Sequence, residues 1–520
     1  MLNSFSRAPQ TQRSQSISVA APIGGWNARD ALGAMEPMDA VTLTNFWPGT
    51  NSVILRNGYT KFATGITGQI ESLMAYSSGT ANKLFAAATT KIYNITAGGA
   101  IGAADVSSLT NARWQYVNFT TSAASYLMCV NGADKLRIYD GTNWHKDGDG
   151  APYDITNVDT ATCPNIHIFK NRIWLIQTGT LKAWYLPINA IGGAAVALDM
   201  SSLAMQGGYL MAAMTFTLDG GYGVDDYLAF ITSKGEVLTW RLTDPTTPSG
   251  IALIGVYSLA APVGRRCAIK YGGDLLIITQ DGVVPLSQAL QSARTGPKIS
   301  ITDKIQFAMG EATNTYGDNF GWQLLLVPKY NQLYLNVPVM EGSQQQQYVQ
   351  NNITKSWANF TGWTANCWEI YEENPYFGAD GYVGLAWNGT VDDTSDIAGF
   401  GLQSFQSYGT ATQKQCKMIR YHFLTNGTPS VFGNVNVDYN LADQSAQLSF
   451  SASAYAIWNT SVWGVPPSTA IWGSDLVPNA DWQGTTEIGY TFAPLIKTST
   501  QGIALQWVAT DLVFEVGGIL

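Results

Sequence analysis

One pattern constrains this chain more than any other: a short apolar run, a polar turn and a second apolar run, returning at near-regular intervals. Residues 83–95, KLFAAATTKIYNI, show it first. Two strand-sized runs meet at Thr89 and Thr90, with no charge inside the first and β-branched or aromatic residues in the second, which predicts a buried hairpin. The shape recurs at 125–141, 171–187, 226–242, 274–286, 331–339 and 375–387. Taking Leu84, Leu127, Ile173, Leu228, Leu275, Leu333 and Phe377 as equivalent gives spacings of 43, 46, 55, 47, 58 and 44. A further strand-like segment precedes each hairpin, beginning at Glu71, Arg113, Cys163, Leu210, Arg265, Trp322 and Ala365. Three or four short antiparallel strands at this period are expected of β-propeller blades. An aromatic closes most units, at Tyr93, Tyr139, Trp184, Trp240 and Trp387, whereas the fifth has Pro285 and Leu286. The expected fold is therefore all-β, a propeller of about seven blades over residues 61–395; the competing arrangement of the same hairpins is a large sandwich.

A chain of 520 residues exceeds one ordinary core. Residues 1–60 read as an N-terminal arm and contact segment, and 396–520 as a β-sandwich-like domain beginning after the polar stretch 392–396, DDTSD. In the last segment the spacing breaks and residues alternate at period two: Val435, Val437 and Tyr439 set against Asn434, Asn436 and Asp438, with further strands expected at 416–427, 446–458 and 503–516. The first twenty residues are rich in Ser and Gln and carry no apolar core after Arg7 and Arg13, so they read as a flexible arm and not as a secretory signal. Residues 35–45 read as a short helix with Pro37 in its first turn and Asp39 close behind. Residues 187–208, rich in Ala, Gly and Met, form the longest insertion between repeats and read as an extra lobe or interface loop. The run 341–347, EGSQQQQ, reads as a mobile loop, and the Trp463 to Pro467 stretch as a rigid loop suited to a contact.

Charged residues make up only 12% of the chain, about half the usual share. A surface that is polar without being ionic suits a protein covered by neighbouring subunits, because low surface charge favours association. The net charge of −9, with 28 scattered Lys and Arg, argues against a general nucleic-acid binder, which needs clustered cations. Cys129, Cys163, Cys267, Cys367 and Cys416 are too far apart for a zinc pattern and fit buried thiols in a reducing cytoplasm. The longest uncharged apolar window, 250–264, is too short and too Pro- and Gly-broken for a membrane helix.

The segment after the arm carries a resemblance. Gly24, Gly25, Trp26 and Asn27, then Asp39 and Ala40, then Asn45 and Pro48, then Arg56, Gly58 and Tyr59 resemble the N-terminal signature of the propeller-containing tail nozzle of short-tailed bacteriophages, the family also called tail tubular protein B or tail hub stabilisation protein. The resemblance covers about 40 residues. It implies a non-enzymatic structural protein of the virion tail, assembled in the bacterial cytoplasm: a homohexameric ring below the portal that contacts the head-to-tail adaptor and docks tail fibres or a tail tip. It further implies a conduit through which double-stranded DNA passes without sequence-specific binding. The quoted residues are then the interface candidates.

Chemistry is sparse by comparison. The three histidines, His145, His167 and His422, read as structural, with His167 and His422 inside strands. No phosphate loop or HExxH motif occurs, and the Gly220 to Gly223 run lacks a dinucleotide-site setting. Asp147, Asp149 and Asp154 in DGDGAPYD resemble a hard-cation loop but lack its later ligands, so no metal or cofactor is expected. Propellers also host glycosidases and lectins. The turn 233–240, SKGEVLTW, lacks the Asp of the sialidase turn; Asp225, Asp226, Glu372 and Glu373 read as turn residues and not as a catalytic pair. Trp144 and Trp363 are the aromatics that could stack on a sugar, or else pack between blades.

Overall fold

The repeat region is held together by strands that are buried on both faces. In the computed structural model, which describes residues 14–79, 81–219, 224–291, 300–450 and 476–517, the chain divides into two compact units. One contains residues 59–352 and 360–388; the other contains residues up to 58, 353–359 and those from 389 onward. The fold is all-β, and in the first unit its sheets are arranged in the manner of a β-propeller.

That unit is a succession of antiparallel ladders. The first joins the second half of the strand Tyr59–Ser77 to Asn82–Ala88 and Lys91–Asn94. The second runs Gln115–Thr120, Ser125–Val130, Arg137–Tyr139 and Trp144–Lys146. The third runs Asn165–Phe169, Arg172–Ile176, Lys182–Tyr185 and Val196–Asp199. The fourth runs Leu210–Asp219, Val224–Thr232, Glu236–Leu242 and Ile251–Ser258. A fifth has Ala268–Tyr271, Asp274–Thr279 and Gly282–Pro285, followed by the helix Leu286–Gln291. A sixth has Gln323–Val327, Gln332–Met340 and Gln344–Asn351. The seventh has Cys367–Tyr371, Asn374–Gly378 and Asp380–Ala386, and takes as its last strand the first half of Tyr59–Ser77. One 19-residue strand thus closes the last ladder and opens the first: Gln69 pairs with Asp380, and Ile70 pairs with Ala88. The first strands of successive ladders touch in order, and Cys367–Tyr371 returns to touch Tyr59–Ser77.

This packing explains why the apolar runs are continuous. In Ser125–Val130, Leu127 and Cys129 pack toward the first ladder with Phe85 and Trp114, whereas Met128 and Val130 pack toward the third with Ile166 and Leu175. In Arg172–Ile176, Ile173 and Leu175 face back, and Trp174 and Ile176 face forward onto Phe230 and Trp240. Side chains alternate across a strand. A sheet sandwiched between two others therefore needs an apolar residue at every position, and burying each such side chain contributes about 1.5–3 kcal/mol.

The second unit is built from two sheets. In one, Leu505–Val516 is flanked on one side by Lys414–Thr425 and on the other by Gln15–Ala20 and Val53–Leu55. The other includes Asp39–Thr44, Ile397–Gln403, Phe492–Thr500 and Val431–Val437 in that order, with Gly25–Trp26 parallel to Asp39–Thr44. Tyr421 of the first sheet reaches the carbonyls of Asn434 and Leu495 in the second at 2.8 and 2.7 Å, and the ring of Phe514 meets that of Phe492.

Several expectations are corrected. Residues 15–20 are not a loose arm: the alternation of QSISVA lets them pair along Leu505–Val516. Residues 35–45 are not a helix but a turn leading into the strand Asp39–Thr44, because β-branched Val41, Thr42 and Thr44 suit a sheet that offers partners on both sides. The Gln run is not a loop beyond Ser343. Gln344–Asn351 is a strand, and Gln347 is fully buried with its side-chain amide donating to Asn336 at 2.9 Å. Asn436 sits buried beside Val435, donating to the carbonyls of Asn440 and Ala442, so the expected polar face of that strand is not all solvent-facing. Residues 451–458 of one expected strand and the Trp463 to Pro467 loop lie outside the described residues. All five cysteines are buried thiols, and burial pushes those of Cys163, Cys267, Cys367 and Cys416 up to about 12. Among the described residues no helix is long and apolar enough to cross a membrane.

Candidate functional site

The residues of the N-terminal signature converge in two hydrogen-bonded knots. In the first, Asn27 is buried and its side-chain amide donates to Asp39 at 2.7 Å and Asp30 at 2.9 Å, while its carbonyl oxygen accepts the amides of Arg29 and Asp30. Trp26 pairs with Ala40 across the parallel strands. Gly24 and Gly25 are required by contact. A side chain on Gly24 would lie 2.4 Å from the Asp39 carboxylate; Gly25 has φ +80 and lies against the backbone of Trp357.

The second knot is centred on Arg56, whose side chain is wholly buried. Its guanidinium donates to both carboxylate oxygens of Asp392, at 2.8 and 2.6 Å, to the side-chain oxygen of Asn45 at 2.9 Å and to the carbonyl of Asn57 at 3.0 Å. Asn45 holds a left-handed backbone (φ 57), and its amide group donates to the carbonyl of Ala398 at 2.7 Å. Pro48 is buried opposite Val53. Gly58 permits the closest approach: an added Cβ would fall 1.7 Å from the carbonyl oxygen of Val391. Tyr59 belongs to the propeller-like unit, where it stacks on Tyr382 and meets Phe377 edge-on. Except for Tyr59, then, the signature residues tie strands of one unit together. Asp392 and the tie it makes are legible only after folding, since 336 residues separate it from Arg56.

A third polar cluster was not singled out from sequence. It lies where the first strands of the ladders meet. Arg266 donates to the carbonyls of Glu71 and Trp114, both at 3.0 Å, and to the Ser72 hydroxyl at 2.7 Å. Gln323 accepts the Trp368 amide at 3.0 Å and donates to the Trp368 carbonyl at 2.8 Å, carrying the belt to the next ladder. Arg113 pairs with Glu71 at 2.9 Å and with Glu341, and lies 4.3 Å over the Phe320 ring. Asn165 donates to Gln115 at 2.5 Å and accepts the Ala213 amide at 3.1 Å. Burial pushes the Glu369 carboxyl up to about 7, against hydrogen bonds from Tyr116 and the Ile370 amide and the nearby Arg266 charge. Burial, with the Lys270 charge, drives His167 down to about 4, so it is a neutral imidazole bonded to Thr215 at 2.7 Å. The belt consists of mutually satisfied cross-ladder links.

The residues considered for chemistry are similarly engaged. His422 bonds Asp511 at 2.7 Å beside Arg420, and His145 bonds Asp140 and stacks on Tyr153. Asp147 accepts Thr160 and the Ile155 amide, Asp149 the Lys146 amide, and Asp154 the Gly150 amide. Glu372 and Glu373 form a hairpin turn with φ 47 and 63. Trp363 is fully buried, and Trp144 is half-buried against Phe85 and Tyr139.

No family model and no curated protein matches the chain. Solved structures are similar only distantly. The extracellular domain of the putative one component system BT4673 from B. thetaiotaomicron has 10% identity and a TM-score of 0.40, covering 77% of this chain and 49% of that one. The chain thus spans about half the length of that neighbour. BBS1N in complex with ARL6DN has 12% identity and a TM-score of 0.38, covering 64% of this chain and 98% of that one.

Proposed function

We propose that this chain is a structural subunit of a short-tailed phage virion: a tail nozzle whose propeller-like unit is a closed ring of seven blades. In this reading six copies form a ring that docks the head-to-tail adaptor and the tail fibres or tip, and double-stranded DNA leaves through the lumen without being read. The chain acts as wall and scaffold, with no catalytic step. The observation that carries the reading is how the signature is used. Gly24, Gly25, Asn27, Asp39, Asn45, Arg56 and Gly58 are spent on close backbone approach and buried ties, which suits a part that must hold its shape under load. The low charge of the chain supports the same reading, since uncharged polar surface is suited to burial against copies.

The test is assembly. The full chain, alone and with the head-to-tail adaptor of the phage that carries it, is imaged by negative-stain electron microscopy and weighed by mass photometry. A sixfold ring is expected in at least the second preparation. A chain that stays monomeric beside its adaptor overturns the proposal.

A further inference from the structure

Two stretches that stood out in the sequence without a role, the Asp-Gly loop at 147–154 and the insertion at 187–208, form facing walls of one cleft. Its volume is about 580 Å³, within the range that holds a small ligand. Strand pairing fixes the walls: Ile155–Thr156 runs parallel to Gly193–Ala194. Gly192 sets their separation, because an added Cβ would lie 2.3 Å from the carbonyl oxygen of Pro152 and 2.6 Å from that of Asp154. The Asp-Gly loop is braced from behind by buried Asp147, which accepts the Ile155 amide and the Thr160 hydroxyl at 2.9 and 2.7 Å, and by the His145 ring stacked 3.9 Å from Tyr153. The cleft is therefore preformed.

Its lining is specific in kind. Pro152, Ile191 and Tyr126 give it apolar surface, whereas Asp154, Asn189 and Ser122 give it polar groups. One Asp154 oxygen accepts the Gly150 amide at 2.9 Å, which leaves the other oxygen to accept from a ligand. The side chains of Asn189 and Ser122 make no hydrogen bond among the described residues. No Lys, Arg or His lines the cleft, and Asp154 repels an anion, which disfavours phosphate, nucleic acid and acidic sugars. The wall strands are only two residues each, too short to template the main-chain ladder by which an extended peptide adds to a sheet edge. What remains is a neutral ligand with one apolar face and several hydroxyls, each both donor and acceptor, to match a carboxylate, an amide and a hydroxyl.

We propose that this cleft binds a neutral saccharide. The assignment does not depend on ring formation, and the two fail separately. The full chain, in whatever oligomer it forms, is screened by saturation-transfer NMR against neutral di- to tetrasaccharides of glucose, galactose, mannose and N-acetylglucosamine, with sialylated and sulfated forms alongside. At least one neutral saccharide is expected to bind and the anionic forms to bind no better. Asn189→Ala should weaken binding roughly tenfold, the effect of losing one or two hydrogen bonds. Ser122→Trp, placed at an exposed position to fill the cleft, should abolish binding while leaving the melting temperature unchanged. Binding that survives Ser122→Trp, preference for the anionic forms, or no neutral saccharide bound at millimolar concentration would each overturn the assignment.

Discussion

The Arg56 knot and the Arg266 belt use the same guanidinium chemistry in opposite ways. Arg56 is wholly buried and meets a carboxylate in bidentate fashion, so its charge is matched by one specific partner 336 residues away in the chain. Arg266 is half-buried and spends its donors on two carbonyls and a hydroxyl, while the nearby acid, Glu369, is left partly protonated near neutrality. Each arrangement suits a different task. A bidentate buried pair fixes one geometry and fails when either partner is lost. A belt of several acceptors holds many strands at once and tolerates the loss of one.

The largest effect should therefore come from Arg56→Ala. Removing the donor shared by Asp392 and Asn45 is expected to cost about 3–5 kcal/mol, the range for breaking a buried pair from one side, read by denaturant unfolding. Arg56→Lys should recover only part, since one ammonium cannot make the bidentate contact. A loss under about 1 kcal/mol would erase the contrast between the two regions.

Glu369→Gln probes the belt and should act with the opposite sign. The carboxyl titrates near 7 in the folded chain and near its ordinary value of 4.5 when unfolded, so between those values the folded state binds more protons. Stability from this group is thus complete below about 4.5 and is lost as pH rises through about 7. The glutamine variant should match the parent at pH 4.5 and exceed it by about 2 kcal/mol at pH 8, a figure already reduced for partial exposure. Urea titrations of both proteins across this range check it. A difference that does not change with pH would place Glu369 outside the titrating belt.

These two regions also mark what could be read in advance. The ladders were legible because strands such as Ser125–Val130 are buried on both sides, which forces an uninterrupted apolar run that turns punctuate. The signature was legible as a string of residues, but not as knots, since neither the 2.6 Å contact of Arg56 with Asp392 nor the approach of Gly58 to Val391 leaves any local trace. The strand at 39–44 reads locally as part of a helix for the same reason: its partners, Gly25–Trp26 and Ile397–Gln403, are set by tertiary pairing. The belt was invisible because Glu71, Arg113, Arg266, Gln323 and Glu369 stand singly, in or just before the first strands of five different ladders, far apart in the chain and without a motif. The cleft was half visible, as two odd stretches with no reason to meet.

The smallest expected effect sharpens the idea of a tolerant belt. Ser72 is fully buried; its hydroxyl accepts from Arg266 at 2.7 Å and from the Trp114 amide at 2.8 Å, and donates to the Ala112 carbonyl at 2.7 Å. Ser72→Ala removes that node without adding volume. Arg266 keeps the carbonyls of Glu71 and Trp114, so no charge is stranded, and the expected loss is about 1–2 kcal/mol, the lower part of the cost of leaving one buried amide, that of Trp114, without its acceptor. Measured in the same unfolding assay, a loss approaching that of Arg56→Ala would mean that the belt hangs on one hydroxyl and is as brittle as the knot. A loss of about 1–2 kcal/mol, with an unchanged far-ultraviolet spectrum, would mean that the first strands are held by many interchangeable ties.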